Sequence, residues 1–224
     1  MSEPVPIDTG RNDRTVRIAV VGVGGHGVVL CARLMAETAV LSGTQVAMSE
    51  VHGMAQRGGV VATTVVLNGG NCPMLPDGSA DLLLATEPLE ALRALHLTGP
   101  RGTLAVWMVE NPPASMSPDD RPYPSRESII EGLLSSGASL WTLNGRSEHH
   151  TPVGLLRSNV ALLGTAVRSG VLPFELESFA RTIKRVLPAR FIETNLASLH
   201  FGHDKAIHVE SPALRNYGKA VQGR

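Results

Sequence analysis

The chain has 224 residues, 43% of them hydrophobic and 18% charged, with Lys+Arg and Asp+Glu equal at 20 each. That length suffices for one domain with a two- or three-layer core, and the composition excludes a disordered chain. The charge balance gives no general pull toward nucleic acid or anionic lipid, so neither is expected as a partner.

The two cysteines, Cys31 and Cys72, belong to no CxxC or Cys/His ligand pattern. By itself the chain is therefore not expected to carry an iron–sulfur cluster or a cysteine-bound zinc. Residues 1–16 are polar, lack an apolar signal-peptide core and read as a flexible N-terminal arm. No apolar run reaches the roughly 18 residues that a membrane span needs. A soluble, cytoplasmic protein is the expectation.

In chain order, Ile18–Val21 is a continuous apolar run closed by glycines, the pattern of a strand buried on both faces. From Gly25 to about Leu41 apolar residues recur at helical spacing, and Ser42-Gly43 ends the helix. Gln45–Met48 is a second strand, one βαβ length of about 30 residues on, so it should run parallel to the first. The polar stretch Ser49–Gly59 reads as a loop. Val60–Leu67 is β-branched and forms the clearest strand, and Asn68-Gly69-Gly70 turns the chain.

Asp81–Thr86 is a short buried strand, and Glu87-Pro88 opens a helix to about Leu95. Gly102–Val109 is a strand, and residues 111–125 hold five prolines in a long surface connection. Ser125 caps a helix that runs to about Ser135. Ala138–Leu143 is read as the last strand. Helices follow over Val153–Ser169, Pro173–Leu187 and Ala189–His203, and residues 204–224 form a tail without pattern. The alternation predicts an α/β three-layer domain with a mostly parallel sheet and a helical C-terminal third.

Gly22-Val23-Gly24-Gly25-His26-Gly27 fits G-x-G-x-x-G between a strand and a helix. Such glycines let the backbone approach a pyrophosphate at a helix N-terminus, and Glu50 stands about where an acid would bond a ribose. A stand-alone NAD(P)-dependent oxidoreductase is thus one reading. In the other, the glycines only allow close strand–helix packing.

The polar loop adds a more specific signal. The glycine turn, the run SEVHGMAQRGG and the strand VVATTVVLNG together resemble the gamma-type domain of 2-oxoacid:ferredoxin oxidoreductases, and among these the beta subunit of indolepyruvate oxidoreductase. Asn159–Gly164 (NVALLG), Gly170–Pro173 (GVLP) and Phe191–Ala197 (FIETNLA) are similar to the closing helices of the same domain. The resemblance spans roughly residues 17–203, with the family's usual Gln replaced by His26.

It implies a Rossmann-like catalytic domain over 17–203 within a larger enzyme that oxidatively decarboxylates 2-oxo acids to acyl-CoA. Thiamine diphosphate, Mg and the iron–sulfur clusters would belong to an alpha-type partner subunit that passes electrons to ferredoxin. Coenzyme A would be the co-substrate, and an aryl 2-oxo acid such as indolepyruvate the substrate.

Within the loop, Arg57 could clamp a carboxylate or phosphate, or form a salt bridge to the partner. His52 could shuttle protons or anchor the loop. Gln56 could reach cofactor or partner backbone, or bond within the loop, and Gly58 and Gly59 permit close backbone approach. Glu50 orders the loop in this reading. Asn159 reads as a cap or interhelical hydrogen bond, Trp107 as core, and His149-His150 as surface. No catalytic triad or paired carboxylate stands out, so the chemistry is expected to be shared with the partner. A non-catalytic scaffold subunit is the remaining alternative.

Overall fold

The computed structural model describes residues 14–52, 59–111, 122–144, 150–151, 154–155 and 157–209. A seven-stranded sheet is covered by helices on both faces, as the alternation predicts. Its strands are β1 (Val16–Val23), β2 (Val46–His52), β3 (Val60–Leu67), β4 (Ala80–Ala85), β5 (Thr98–Trp107), β6 (Ser139–Leu143) and, after a two-stranded ribbon of β7 (His150–Thr151) and β8 (Gly154–Leu155), β9 (Ile207–Val209). The spatial order is β2-β3-β1-β4-β5-β6-β9. β1, β4, β5 and β6 pair in parallel, β3 is antiparallel to both β1 and β2, and β9 is antiparallel to β6. β2 therefore runs in the direction of β1, and only β3 and β9 run against the rest.

The helices are α1 (Val28–Leu41), α2 (Pro88–Arg93), α3 (Arg126–Leu134), α4 (Ser158–Arg168), α5 (Leu176–Val186) and α6 (Ala189–Lys205). Strand alternation sorts them into two layers. Ile18, Val20, Leu82, Leu84, Ala105 and Trp107 share one core with α1, α4, α5 and α6. The intervening Ala19, Val21, Leu83, Ala85, Leu104 and Val106 meet α2 and α3 on the opposite face.

Several expectations are corrected. β1 and β2 are parallel, but β3 is inserted between them, so they are not the adjacent pair of a simple βαβ unit. β2 also extends through Ser49–His52, which were expected in the loop. The expected helix from Val153 is shortened: β8 occupies Gly154–Leu155 and α4 starts at Ser158. Ala138–Leu143 is not the last strand, because the chain after α6 returns as β9. With three residues, β9 is too short to show a period of two.

Candidate functional site

A cleft of about 650 Å³ opens beyond the carboxyl ends of β1, β4 and β5. After β1 the chain enters α1 on one face of the sheet, and after β4 it enters α2 on the other. Neighbouring parallel strands whose connections leave in opposite directions mark a switch point, where open α/β sheets place their ligands. Gly25, His26 and Gly27 form one wall, Thr86 follows β4, and Val109, Glu110 and Asn111 follow β5. Arg157, Ser158 and Asn159 close it from the start of α4, and Leu187, Phe191 and Asn195 from around α6.

The glycine turn owes its residues to two separate demands. Gly25 and Gly27 take φ of 96° and 73°, a region where a side chain is strained. A Cβ at Gly22 would fall 1.8 Å from Thr86 Oγ1, and one at Gly27 would fall 2.4 Å from Asn159 Nδ2. Asn159 Nδ2 donates to the Gly27 carbonyl at 3.0 Å, tying α4 to the start of α1. Gly22 and Gly27 are thus used for close packing. At Gly25 an added Cβ would meet nothing within 4 Å among the described residues.

Beneath the cleft lies a carboxylate that the sequence reading treated only as the opening of a helix. Glu87 is fully buried at the end of β4. It caps α2 by accepting from the Glu90 amide at 2.9 Å, and it accepts from the Tyr123 hydroxyl at 2.5 Å and the Asn111 amide at 3.4 Å. Burial first, and then the bond to Glu87, push the Tyr123 phenol up, so it remains a donor at neutral pH. One turn on, buried Glu90 pairs with Arg93 at 2.5 Å. Its carboxyl lies above the ordinary value because burial outweighs that partner.

His26 bridges the glycine turn to this network. Its Nε2 lies 2.5 Å from Asn111 Nδ2, pairing the two side chains. Burial lowers its pKa, against the opposing charge of Glu87 and a bond to the Thr86 backbone. The side chain is half-buried.

Of the loop residues singled out from sequence, Gln56, Arg57 and Gly58 lie outside the described residues. His52 ends β2. Glu50 is exposed on β2, in register with Thr63 and through it with Val20. With β3 in between, β2 is displaced by two strand spacings, about 10 Å, from β1. Glu50 is therefore not beside the glycine turn, as a ribose-binding acid must be. Gly59, in contrast, is close: its carbonyl accepts from the Gly24 amide at 2.8 Å, fastening the far root of the loop to the turn. Trp107 is core and also reaches the cleft, with its ring 6.4 Å from Phe201.

Residues missed as a site are Thr86, Arg157, Ser158 and Asn195. They come from three distant segments, and only the fold brings them together. Thr86 Oγ1 and Asn195 Oδ1 find no hydrogen-bond partner among the described residues, although the two residues are only 1% and 4% exposed. A buried polar atom left unpaired costs about 1–3 kcal/mol.

Comparison with known proteins gives the chain its family. The model for pyruvate ferredoxin/flavodoxin oxidoreductase matches residues 17–204. The indolepyruvate oxidoreductase subunit IorB of Methanothermobacter thermautotrophicus is 34% identical over 189 residues, covering 84% of this chain and 96% of that one. Among solved structures, the pyruvate oxidoreductase subunit PORC of Thermotoga maritima superposes with a TM-score of 0.62 at 18% identity, covering 88% of this chain and 99% of that one. The gamma subunit of a keto/oxoacid ferredoxin oxidoreductase from Geobacter sulfurreducens does so with a TM-score of 0.58 at 23% identity, over 85% and 97%. The match runs from β1 to the end of α6, through the strands and helices that build the cleft, and the chain belongs to the pyruvate ferredoxin/flavodoxin oxidoreductase family, as a 2-oxoacid oxidoreductase subunit similar to the indolepyruvate enzyme's IorB.

Proposed function

We propose that this chain is the gamma-type subunit of a thiamine-diphosphate-dependent oxidoreductase that converts an aryl 2-oxo acid such as indolepyruvate to its acyl-CoA and passes the electrons to ferredoxin. The observation that carries the reading is the 34% identity to an indolepyruvate oxidoreductase subunit over nearly that subunit's whole length. Thiamine diphosphate with its Mg, and the clusters, are assigned to an alpha-type partner. The chain's own cysteines favour that division: Cys31 is buried in α1, and Cys72 is exposed in the β3–β4 connection.

In this reading the segment Glu50–Gly59 completes the active-site wall against the partner. Arg57 holds the carboxylate of the 2-oxo acid or a phosphate of coenzyme A, and His52 and Gln56 hold the loop or the partner backbone. Gly58 and Gly59 let the chain pass close to its neighbour. The bond from Gly24 to Gly59 supports this, because it roots the segment at the carboxyl edge of the sheet, where α/β sites lie. His26 and Asn111 steady the facing rim.

The test is assembly with turnover. Co-expressed with an alpha-type partner, the chain should co-purify and support reduction of a viologen dye that requires both 2-oxo acid and coenzyme A. The chain alone should be silent, and robust activity from it would sink the reading. Arg57→Ala should lower turnover of the assembled enzyme without loss of assembly. Loss of assembly with normal residual turnover would instead favour a scaffold role.

A further inference from the structure

We propose that a second copy of this chain docks on the open edge of β2. The two strands pair antiparallel about a two-fold axis, so that the sheets join and the α1 helices lie on the same side. The inference goes beyond the oxidoreductase reading and does not depend on it.

The two edges of the sheet are of different kinds. β9 closes one with three residues, and brevity is itself a guard against edge pairing. β2 closes the other with seven residues, in unbroken register with β3. Its phase follows from one bond: the Asn68 amide donates to the Gln45 carbonyl at 2.9 Å. Counting on from that pair, Ala47 and Ser49 turn their backbone groups to β3. Those of Val46 and Met48 point away from the sheet, and among the described residues no strand lies beyond them. The sequence VAMSEVH has no Pro, Lys or Arg and the ladder has no bulge, so the usual guards of a long edge are missing.

α1 is the helix beside this edge. Its Met35 and Ala39 enter the core against the sheet, and Thr38 bonds Thr182 of α5 at 2.8 Å. Helical spacing puts Val29, Arg33, Ala36 and Val40 on the flank turned away from α5. Val40 is 62% exposed and Leu41 43%, while Val46 and Met48 at the start of β2 are only half-buried. Aliphatic side chains gathered at an unguarded strand edge mark a surface that another chain covers.

Three features fit a second copy. A two-fold axis normal to the sheet matches each outward donor of β2 with an acceptor and keeps the same face uppermost, so apolar residues meet apolar residues. Arg33 and Glu37 stand one turn apart, 3.8 Å from each other and both accessible. Two antiparallel α1 helices therefore offer each cation an acid of the other copy. The formal net charge of the chain is zero, so two copies do not repel.

The test is the association of the full chain, followed by sedimentation velocity across the micromolar range and by amide exchange resolved at single residues. A dimer is expected. The amides of Val46 and Met48 should exchange faster as the chain is diluted, while those of Ala47 and Ser49 stay slow at every concentration. Arg33→Glu and Glu37→Arg each act twice across the axis and should weaken the dimer about tenfold, and the double variant should restore it. Val40→Asp should weaken it in the same sense, with the far-UV circular dichroism of the dilute chain unchanged. A chain that stays monomeric throughout would overturn the proposal, as would a dimer that the single charge reversals and Val40→Asp leave intact. Pairing that appears only after removal of residues 1–13 or 210–224 would overturn it too, by giving the edge to the chain's own segment. In the enzyme assembled with its partner, the Val46 and Met48 amides should be protected and lose protection in Val40→Asp. Protection there that ignores both Val40→Asp and the charge reversals would give the edge to the other subunit and overturn the proposal. Turnover is not the readout, so failure here leaves the oxidoreductase reading standing.

Discussion

The two helical layers on this sheet are held by different physics. On the face of α1, α4, α5 and α6, glycines bring backbones into contact. A Cβ at Gly164 would fall 2.0 Å from the Leu199 carbonyl oxygen, and one at Gly202 would fall 1.7 Å from that of Ala161. On the face of α2 and α3, a fully buried carboxylate, Glu87, gathers the Glu90 amide, the Asn111 amide and the Tyr123 hydroxyl. The first layer is fixed by steric fit that admits no methyl group, the second by satisfying one charge. The cleft lies where the chain passes from one layer to the other, so its rigid wall comes from the first and its polar floor from the second.

The comparison is broken most severely at α6. In Gly202→Ala the new methyl meets a backbone carbonyl that cannot rotate away, and the α4–α6 crossing must open. Denaturant unfolding should show a loss of about 3 kcal/mol or more, at the upper end for overpacking. Wild-type stability would contradict the steric account.

In the other layer, Glu87→Ala removes the acceptor for three donors. A loss of about 2 kcal/mol is expected, of the size of leaving buried donors unpaired. Tyr123→Phe, which deletes one donor and leaves the carboxylate its others, should cost about 1 kcal/mol. If the phenylalanine variant were the more damaged of the two, Glu87 would not be the centre of the network.

The smallest effect belongs to His26, where the layers meet, and appears as a pH slope. Burial lowers its pKa below the ordinary value of about 6.5, so the unfolded chain takes up the proton first as pH falls. The stability of the neutral ring is fully present above about 6.5 and is lost as pH drops from there toward the lowered folded value. His26→Gln should flatten that part of the stability–pH curve and can still meet Asn111. An unchanged slope would show that the ring is not the titrating group.

Much of this frame is visible in the residues. The β-branched run Val60–Leu67 has the limits of β3, and Ser125 caps α3 by accepting from the Ser128 amide at 3.2 Å. Glu87-Pro88 opens α2 where the proline places it. The order of strands is not visible, because periodicity reports burial and not neighbours. Nothing local in Val60–Leu67 says that it enters between β1 and β2. Gly154 and Leu155, expected in the first turn of a helix, pair instead with His150 and Thr151 as a ribbon. The site divides in the same way. The glycine turn carries a local signature, but Thr86, Arg157 and Asn195 become a site only when the C-terminal helices fold back over β1 and β4. Asn159 was legible as an interhelical bond, though not as the group that fills the space at Gly27.

The central claim, that the chain serves an aryl 2-oxo acid oxidoreductase, is tested most directly by substrate competition in the assembled enzyme. The measurement is kcat/KM for indolepyruvate against pyruvate and 2-oxoglutarate, read as coenzyme-A-dependent viologen reduction. The account predicts that indolepyruvate is preferred over both by at least about tenfold, the discrimination that a few methylenes of apolar pocket can supply. Equal rates for the three acids, or a preference for pyruvate or 2-oxoglutarate, would contradict it.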